Sequence, residues 1–149
     1  MSLTVDQLAV HLHSDRTRMG RAAAIVAHAH VKATVATRGR ARVILSSAPS
    51  QNDFYAALAD LAAAEPAVWE AVEAYHMDDY VGLAPDHPQS FSRYLQEHFF
   101  HRIKVAVFHP IRGDAADPAA EAVRYAAMLT AAPIDQPNST TSSAPCANA

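Results

Sequence analysis

Apolar residues recur along this chain at two intervals, and the switches between them divide it into elements. From residue 16 to 38, Met19, Ala22, Ala23, Val26, Ala29 and Ala33 fall three and four apart, predicting a helix buried on a narrow stripe and ended by Gly39. Ahead of it, Thr4 and Gln7 have capping-box spacing before Leu8 and predict a shorter helix. Residues 41–45, ARVIL, are short, β-branched and apolar, as a buried strand requires. Ser50 and Asp53 then read as the start of a helix whose face is Phe54, Ala57, Leu58, Leu61 and Ala62, ending before Pro66. Residues 72–77 predict a second strand, entered through Trp69. Pro88 falls in a first helical turn, with Phe91, Tyr94, Leu95, His98 and Phe99 following at helical spacing. Residues 105–108 predict a third strand. Asp117 and Pro118 open a last helix with Ala122, Val123, Ala126 and Leu129 on its buried side.

Helix and strand thus alternate, which predicts an α/β fold: a doubly wound, mostly parallel sheet with helices on both faces. No internal repeat appears. After Asp135 the pattern stops. Residues 136–149, QPNSTTSSAPCANA, hold no charge, no aromatic and no Leu, Ile or Val, so they are expected to form a disordered tail beyond a domain spanning 1–135.

Composition narrows the function. With 149 residues, half of them hydrophobic, the chain can bury one core. A net charge of −3 and scattered basic residues, clustered only at Arg38, Arg40 and Arg42, argue against nucleic acid as a partner. No apolar run reaches the roughly 20 residues of a membrane helix, and acidic Asp6 falls where a signal peptide would be basic; no membrane partner and a cytoplasmic location are expected. The single cysteine, Cys146, allows no intramolecular disulfide and fits a reducing compartment. No metal and no cofactor are expected: of nine histidines, His98 and His101 could share an ion, but no third ligand joins them at a helpful spacing.

In a doubly wound sheet, ligands bind at the C-terminal ends of the strands, so the loops after strands are the places for chemistry. Residues 46–51, SSAPSQ, place hydroxyls before a helix, where a phosphate could sit; an ordinary cap and turn would use the same residues. In HMDDY, residues 76–80, neighbouring side chains leave a strand on opposite faces, so Asp78 and Asp79 do not make a shared-proton dyad. One of them at the strand end could act as a general base, or both could begin a polar loop.

The stretch HMDDYVGLAPDHPQSFSRYLQEHFF, residues 76–100, resembles the MDEYVGLP-x-x-HP-x-S-[YF] segment, with its following helix ending in NFF, of glucosamine-6-phosphate deaminases. RGDAADPAAEAVRYAAML resembles that family's NG-x-APDP-x-AEC-x-x-YE segment, and WEAVEAYHMDDY the strand leading to the catalytic aspartate. The resemblance covers about residues 16–135. Related 6-phosphogluconolactonases carry DER where this chain has Asp78, Asp79 and Tyr80, which favours the deaminase branch.

The resemblance implies a sugar-phosphate substrate whose C2 proton is taken by Asp78, through a cis-enediol or enolamine, with ammonia released to give fructose 6-phosphate. It maps the substrate-phosphate loop onto residues 47–51, so that Ser47, Ser50, Asp79 and Tyr80 become candidate substrate-binding residues. The family's loop reads TG-[GS]-TP; here Ala48 and Pro49 replace both glycines, while Ser47 and Ser50 keep hydroxyls where the family has threonines. The family's G-x-G-x-DGHIAFNEP segment, with its histidine, has no counterpart here. The domain is therefore expected to be incomplete at its C-terminus, a truncated deaminase-like chain that pairs with further copies; a non-catalytic remnant that weakly binds sugar phosphate or pairs with other subunits is the alternative.

Overall fold

The computed structural model describes residues 2–6 and 8–135. The expected tail, 136–149, and Gln7 lie outside them.

The chain opens with a hairpin rather than a short helix: β1 (Ser2–Val5) pairs antiparallel with β2 (Leu8–His11), Thr4 opposite Ala9. Capping-box spacing is overruled by the β-branched Thr4, Val5 and Val10 and by Asp6, whose φ of 53° turns the chain in the left-handed region that Asp tolerates.

From residue 16 the alternation holds. The order is α1 (Arg16–Arg38), β3 (Ala41–Leu45), α2 (Asn52–Ala64), α3 (Pro66–Trp69), β4 (Val72–His76), α4 (Phe91–Leu95), β5 (Val107–His109) and α5 (Pro118–Thr130). The strands form a parallel sheet in the order β3-β4-β5, with Leu45 opposite His76 and Tyr75 opposite His109. The third strand lies two residues later at its start than its apolar run suggests, because Ala106 instead bonds back to Val72 ahead of the ladder. α4 is short and passes into a π-helical turn over Gln96–Phe100, which keeps Leu95 and Phe99 fully buried.

Helices cover both faces of the sheet, as the alternation predicts. On one face, Ala41, Val43, Leu45, Val72 and Ala74 pack with Tyr55, Leu58, Trp69, Leu95 and Phe99 of α2, α3, α4 and the π-helical turn. Trp69 meets Phe99 edge-on at 5.5 Å and donates its indole N–H to Nδ1 of the buried His28. The other face belongs to α5, through Tyr75, Tyr125 and Arg42.

Two helices bury faces other than those the apolar stripe marks. In α1 the buried residues are Gly20, Ala24, His28, Val31 and Thr34, whereas Met19 is 50% and Val26 58% exposed. Gly20 decides this: a Cβ there would stand 2.8 Å from the backbone nitrogen of Phe54, so α1 and α2 cross with backbones nearly touching, and α1 must turn its small residues inward. Met19, Val26, Val43 and Leu45 border an open apolar groove of about 700 Å³ between α1 and the outer edge of β3. In α5, Glu121 and Tyr125 are buried while Val123 faces solvent, because α5 docks through polar contacts.

Arg42 is the main such contact. Only 4% exposed, it stacks on the Tyr75 ring at 4.9 Å and donates to the Tyr75 hydroxyl and to the carbonyls of Met128, Leu129 and Ala132, so a cation caps the C-terminal end of α5. The basic cluster is thereby split: Arg38 pairs with Asp135 at 2.6 Å, and Arg40 lies 3.9 Å from Glu73. Asp135 also donates its backbone N–H to the Arg42 carbonyl at 2.7 Å, on the side of β3 away from β4.

Candidate active site

β3, β4 and β5 run parallel, so the loops that follow them leave from one edge of the sheet. Met77 continues the ladder by donating to the Leu45 carbonyl at 3.1 Å, which sets the start of the 46–51 loop beside residues 77–79. The Tyr125 hydroxyl accepts the His76 N–H at 3.0 Å and lies 3.0 and 3.1 Å from the carbonyls of His76 and His109, tying the ends of β4 and β5. Burial pushes this phenol up to about 12, so it works as a neutral hydrogen-bonding post.

Asp78 and Asp79 both border one cavity but differ in their hydrogen bonds. Asp78 is exposed and lines a cavity of about 360 Å³ walled by Ile111, Arg112 and Gly113 and by α5. The Asp79 carboxylate is engaged within the chain: it accepts from the Ser90 hydroxyl at 3.0 Å and from the backbone N–H groups of Tyr80, Phe91 and Ser92 at 2.8, 3.0 and 3.2 Å. Three donors at the start of α4 and the neighbouring Tyr80 N–H leave this side chain as an anchor. The two aspartates beyond the end of β4 thus divide into one exposed carboxylate and one structural carboxylate.

The remaining candidates are partly gathered by Phe91. Ser47 donates to the Phe91 carbonyl at 3.2 Å while Asp79 holds the Phe91 N–H, so the loops after β3 and β4 share one clamp. Tyr80 is exposed, its ring 4.9 Å from that of Phe91. Ser50 does not cap α2. It lies exposed in a 3₁₀ turn, Pro49–Gln51, whose entry at Ala48 makes no side-chain capping bond; Gln51 precedes α2 instead. Pro49 starts that turn because its fixed φ suits a first helical position.

The wall facing Asp78 rests on residues that periodicity alone does not single out. Gly113 is buried; a Cβ on it would fall 2.7 Å from the Leu83 carbonyl oxygen and closer still to that of Tyr80, while its own carbonyl accepts the Gly82 N–H at 2.7 Å. Glu121 accepts the Arg112 N–H at 2.8 Å and a two-pronged bond from Arg124. The Arg124 guanidinium, with the Arg112 amide, holds its carboxyl down at about 2. His76, fully buried, accepts the Ile111 N–H. Gly113 and Glu121 belong to the RGDAADPAAEAVRY segment, whose lone glycine between charged residues was the available signal. Among the described residues no group of three or more His, Cys, Asp or Glu side chains could hold a metal ion, and no helix is long and apolar enough to cross a membrane.

A parallel sheet flanked by helices, with a free carboxylate at the end of its middle strand, defines an α/β protein with a strand-end cleft. The family of glucosamine-6-phosphate isomerases/6-phosphogluconolactonase matches residues 14–142, and the chain belongs to that family. Glucosamine-6-phosphate deaminase of an Exiguobacterium species is 38% identical over 64 residues, 43% of this chain and 25% of that protein. The Proteus mirabilis deaminase is 38% identical over 77 residues, 50% of this chain and 29% of that one. Among solved structures, a monomeric glucosamine-6-phosphate deaminase superposes with a TM-score of 0.69 at 23% identity, covering 80% of this chain and 48% of its own. A 6-phosphogluconolactonase from Shewanella baltica gives 0.64 at 18%, covering 81% and 50%. These structures share the fold. The chain spans 25–29% of the length of the two curated relatives and about half that of the solved structures.

Proposed function

We propose that this chain carries the proton-abstracting part of a glucosamine-6-phosphate deaminase site, with Asp78 as the base. The observation that supports it is the division of labour between the two aspartates: Asp79 is consumed by four internal hydrogen bonds, and Asp78 is left exposed in a walled cleft at a strand end. A carboxylate held on a rigid element suits abstraction of a proton next to a carbonyl or iminium carbon. In the ring-opened substrate Asp78 takes the C2 proton and the electron pair passes into an enolamine; return of a proton to C1 leaves an iminium at C2, which adds water and loses ammonia to give fructose 6-phosphate. Ser47 and Ser50 offer hydroxyls to the phosphate, Tyr80 lies exposed beside Phe91 as a further contact for the substrate, and Asp79 serves the substrate by fixing the loop that presents Asp78. The reading places the protein in the cytoplasm, with a sugar phosphate as ligand, no nucleic-acid partner and copies of itself as partners.

The test is direct. Incubation with glucosamine 6-phosphate should release ammonia and fructose 6-phosphate in equal amounts, and Asp78→Asn should abolish both while leaving the fold intact. No product at high protein concentration would sink the enzymatic reading. A second reading is a protein that binds the sugar phosphate without turning it over. Calorimetric binding of the sugar phosphate without turnover, unchanged in Asp78→Asn, would select it.

A further inference from the structure

Among the described residues, His76 is the one side chain next to the candidate base that is buried without a full set of partners. Its relative exposure is 0%, its ring lies 5.5 Å from Phe108 and 6.2 Å from Tyr125, and its Nε2 is 2.7 Å from the backbone nitrogen of Ile111. An amide nitrogen can only donate, so Nε2 must offer a lone pair and the imidazole proton must reside on Nδ1. Nδ1 has no hydrogen-bond partner among the described residues. The ring is therefore a neutral acceptor fixed in one tautomer by a single bond.

That bond is the first of three consecutive anchors. Ile111 hangs from His76, Arg112 from Glu121, and Gly113 is wedged against the carbonyls of Tyr80 and Leu83 while accepting from Gly82. All three residues wall the cavity that Asp78 enters. We propose that His76 is a positioning residue that sets the wall opposite Asp78: its neutral ring suspends residues 111–113 and steadies residues 80–83, and a second proton on the ring releases both. A doubly protonated ring presents N–H to N–H at Ile111, so the contact turns from attraction to repulsion.

The charged and titratable groups around the ring act in both directions. Asp78 and Asp79, on the loop after β4, favour the imidazolium. From α5 come the neutral Tyr125 phenol and, one residue along the strap, the internally paired Glu121 and Arg124; β5 contributes His109, which burial holds toward its neutral form. Burial outweighs the two aspartates and sets His76 below its ordinary 6.5. The folded pKa is thus depressed: the strap is fully held above about 6.5 and loosens as the pH falls from there through the folded value.

The functional meaning rests on Asp78 as the base, but the test uses no substrate, so the two ideas fail separately. On 15N-labelled protein, long-range imidazole spectra at about pH 8 should show His76 as the Nδ1–H tautomer. Between about pH 8 and pH 5, the hydrogen-exchange protection of the Ile111 and Gly82 amides should fall about tenfold or more along the His76 titration curve. In His76→Gln, whose amide oxygen can accept without titrating, that protection should be independent of pH. An Nε2–H tautomer, a ring that stays neutral throughout, protection that ignores its titration, or the same pH dependence in His76→Gln would each overturn the proposal. If His76→Gln fails to fold, the tautomer and the coupled titration of the unmodified chain decide it.

Discussion

The loops after β3 and β4 start side by side and are built in opposite ways. Residues 77–92 are fastened at Asp79 by four donors and braced at Gly82 and Gly113 by backbone contacts. Residues 46–51 are held through Ser47 on Phe91, Ser46 on the Tyr55 hydroxyl and Pro49 on Arg16, with Ser50 exposed. In the proposed function the first loop presents the base and gains from a fixed geometry, since a reacting group must be held within a fraction of an ångström. The second has Ala48 and Pro49 where the resembled loop has glycines, so in the proposed function its hydroxyls rather than closely approaching backbone N–H groups meet the phosphate.

The strongest challenge to this contrast is Gly113→Val. Its side chain has no room against Tyr80 and Leu83, so the braced loop must shift; the expected cost is about 3 kcal/mol, read by urea unfolding. A variant as stable as the parent would show that the brace does not fix the loop. Asp79→Ala comes next, leaving three backbone N–H groups and the Ser90 hydroxyl without their acceptor, for an expected loss of about 2 kcal/mol by the same measurement.

Glu121→Gln sharpens the comparison through pH. Because the folded carboxyl sits near 2 rather than at the ordinary 4.5, its contribution is complete above about 4.5 and is lost as pH falls through about 2. Stability measured across that window should therefore depend less steeply on pH in Glu121→Gln than in the parent, and an unchanged slope would remove Glu121 from the account. The smallest effect belongs to the looser loop. Ser50→Ala should change stability by less than about 0.5 kcal/mol, because this exposed residue makes no capping bond.

Much of the fold was legible. Alternating periods located β3, α2, β4 and α5 closely, because a strand of ARVIL and a Pro118 behind a capping Asp117 leave little choice locally. The hairpin was not, since four-residue strands carry too few positions for a period to show against a capping-box spacing. The stripe on α1 misled for another reason. Periodicity finds an apolar face, but Gly20 permits a closer crossing than any larger residue would, and helix packing followed the close approach. In the site, the spacing of HMDDY singled out Asp78 and Asp79 together, and the family resemblance then chose Asp78 as the base.

By itself, then, the sequence determined the class of fold, the strand-end placement of two carboxylates and, through 76–100 and the 112–129 segment, the family. Those features are local: they depend on residue type at fixed spacing, which any observer of the chain can count. The tertiary structure alone decided that Asp79 anchors while Asp78 stays exposed, that Arg42 is a buried cap on α5 rather than part of a basic patch, and that His76 accepts the Ile111 N–H. The bonds behind them, from Phe91 to Asp79, Arg42 to Met128 and Ile111 to His76, span 12 or more positions of the chain, and the partner of a polar group is set by what folding brings within about 3 Å of it.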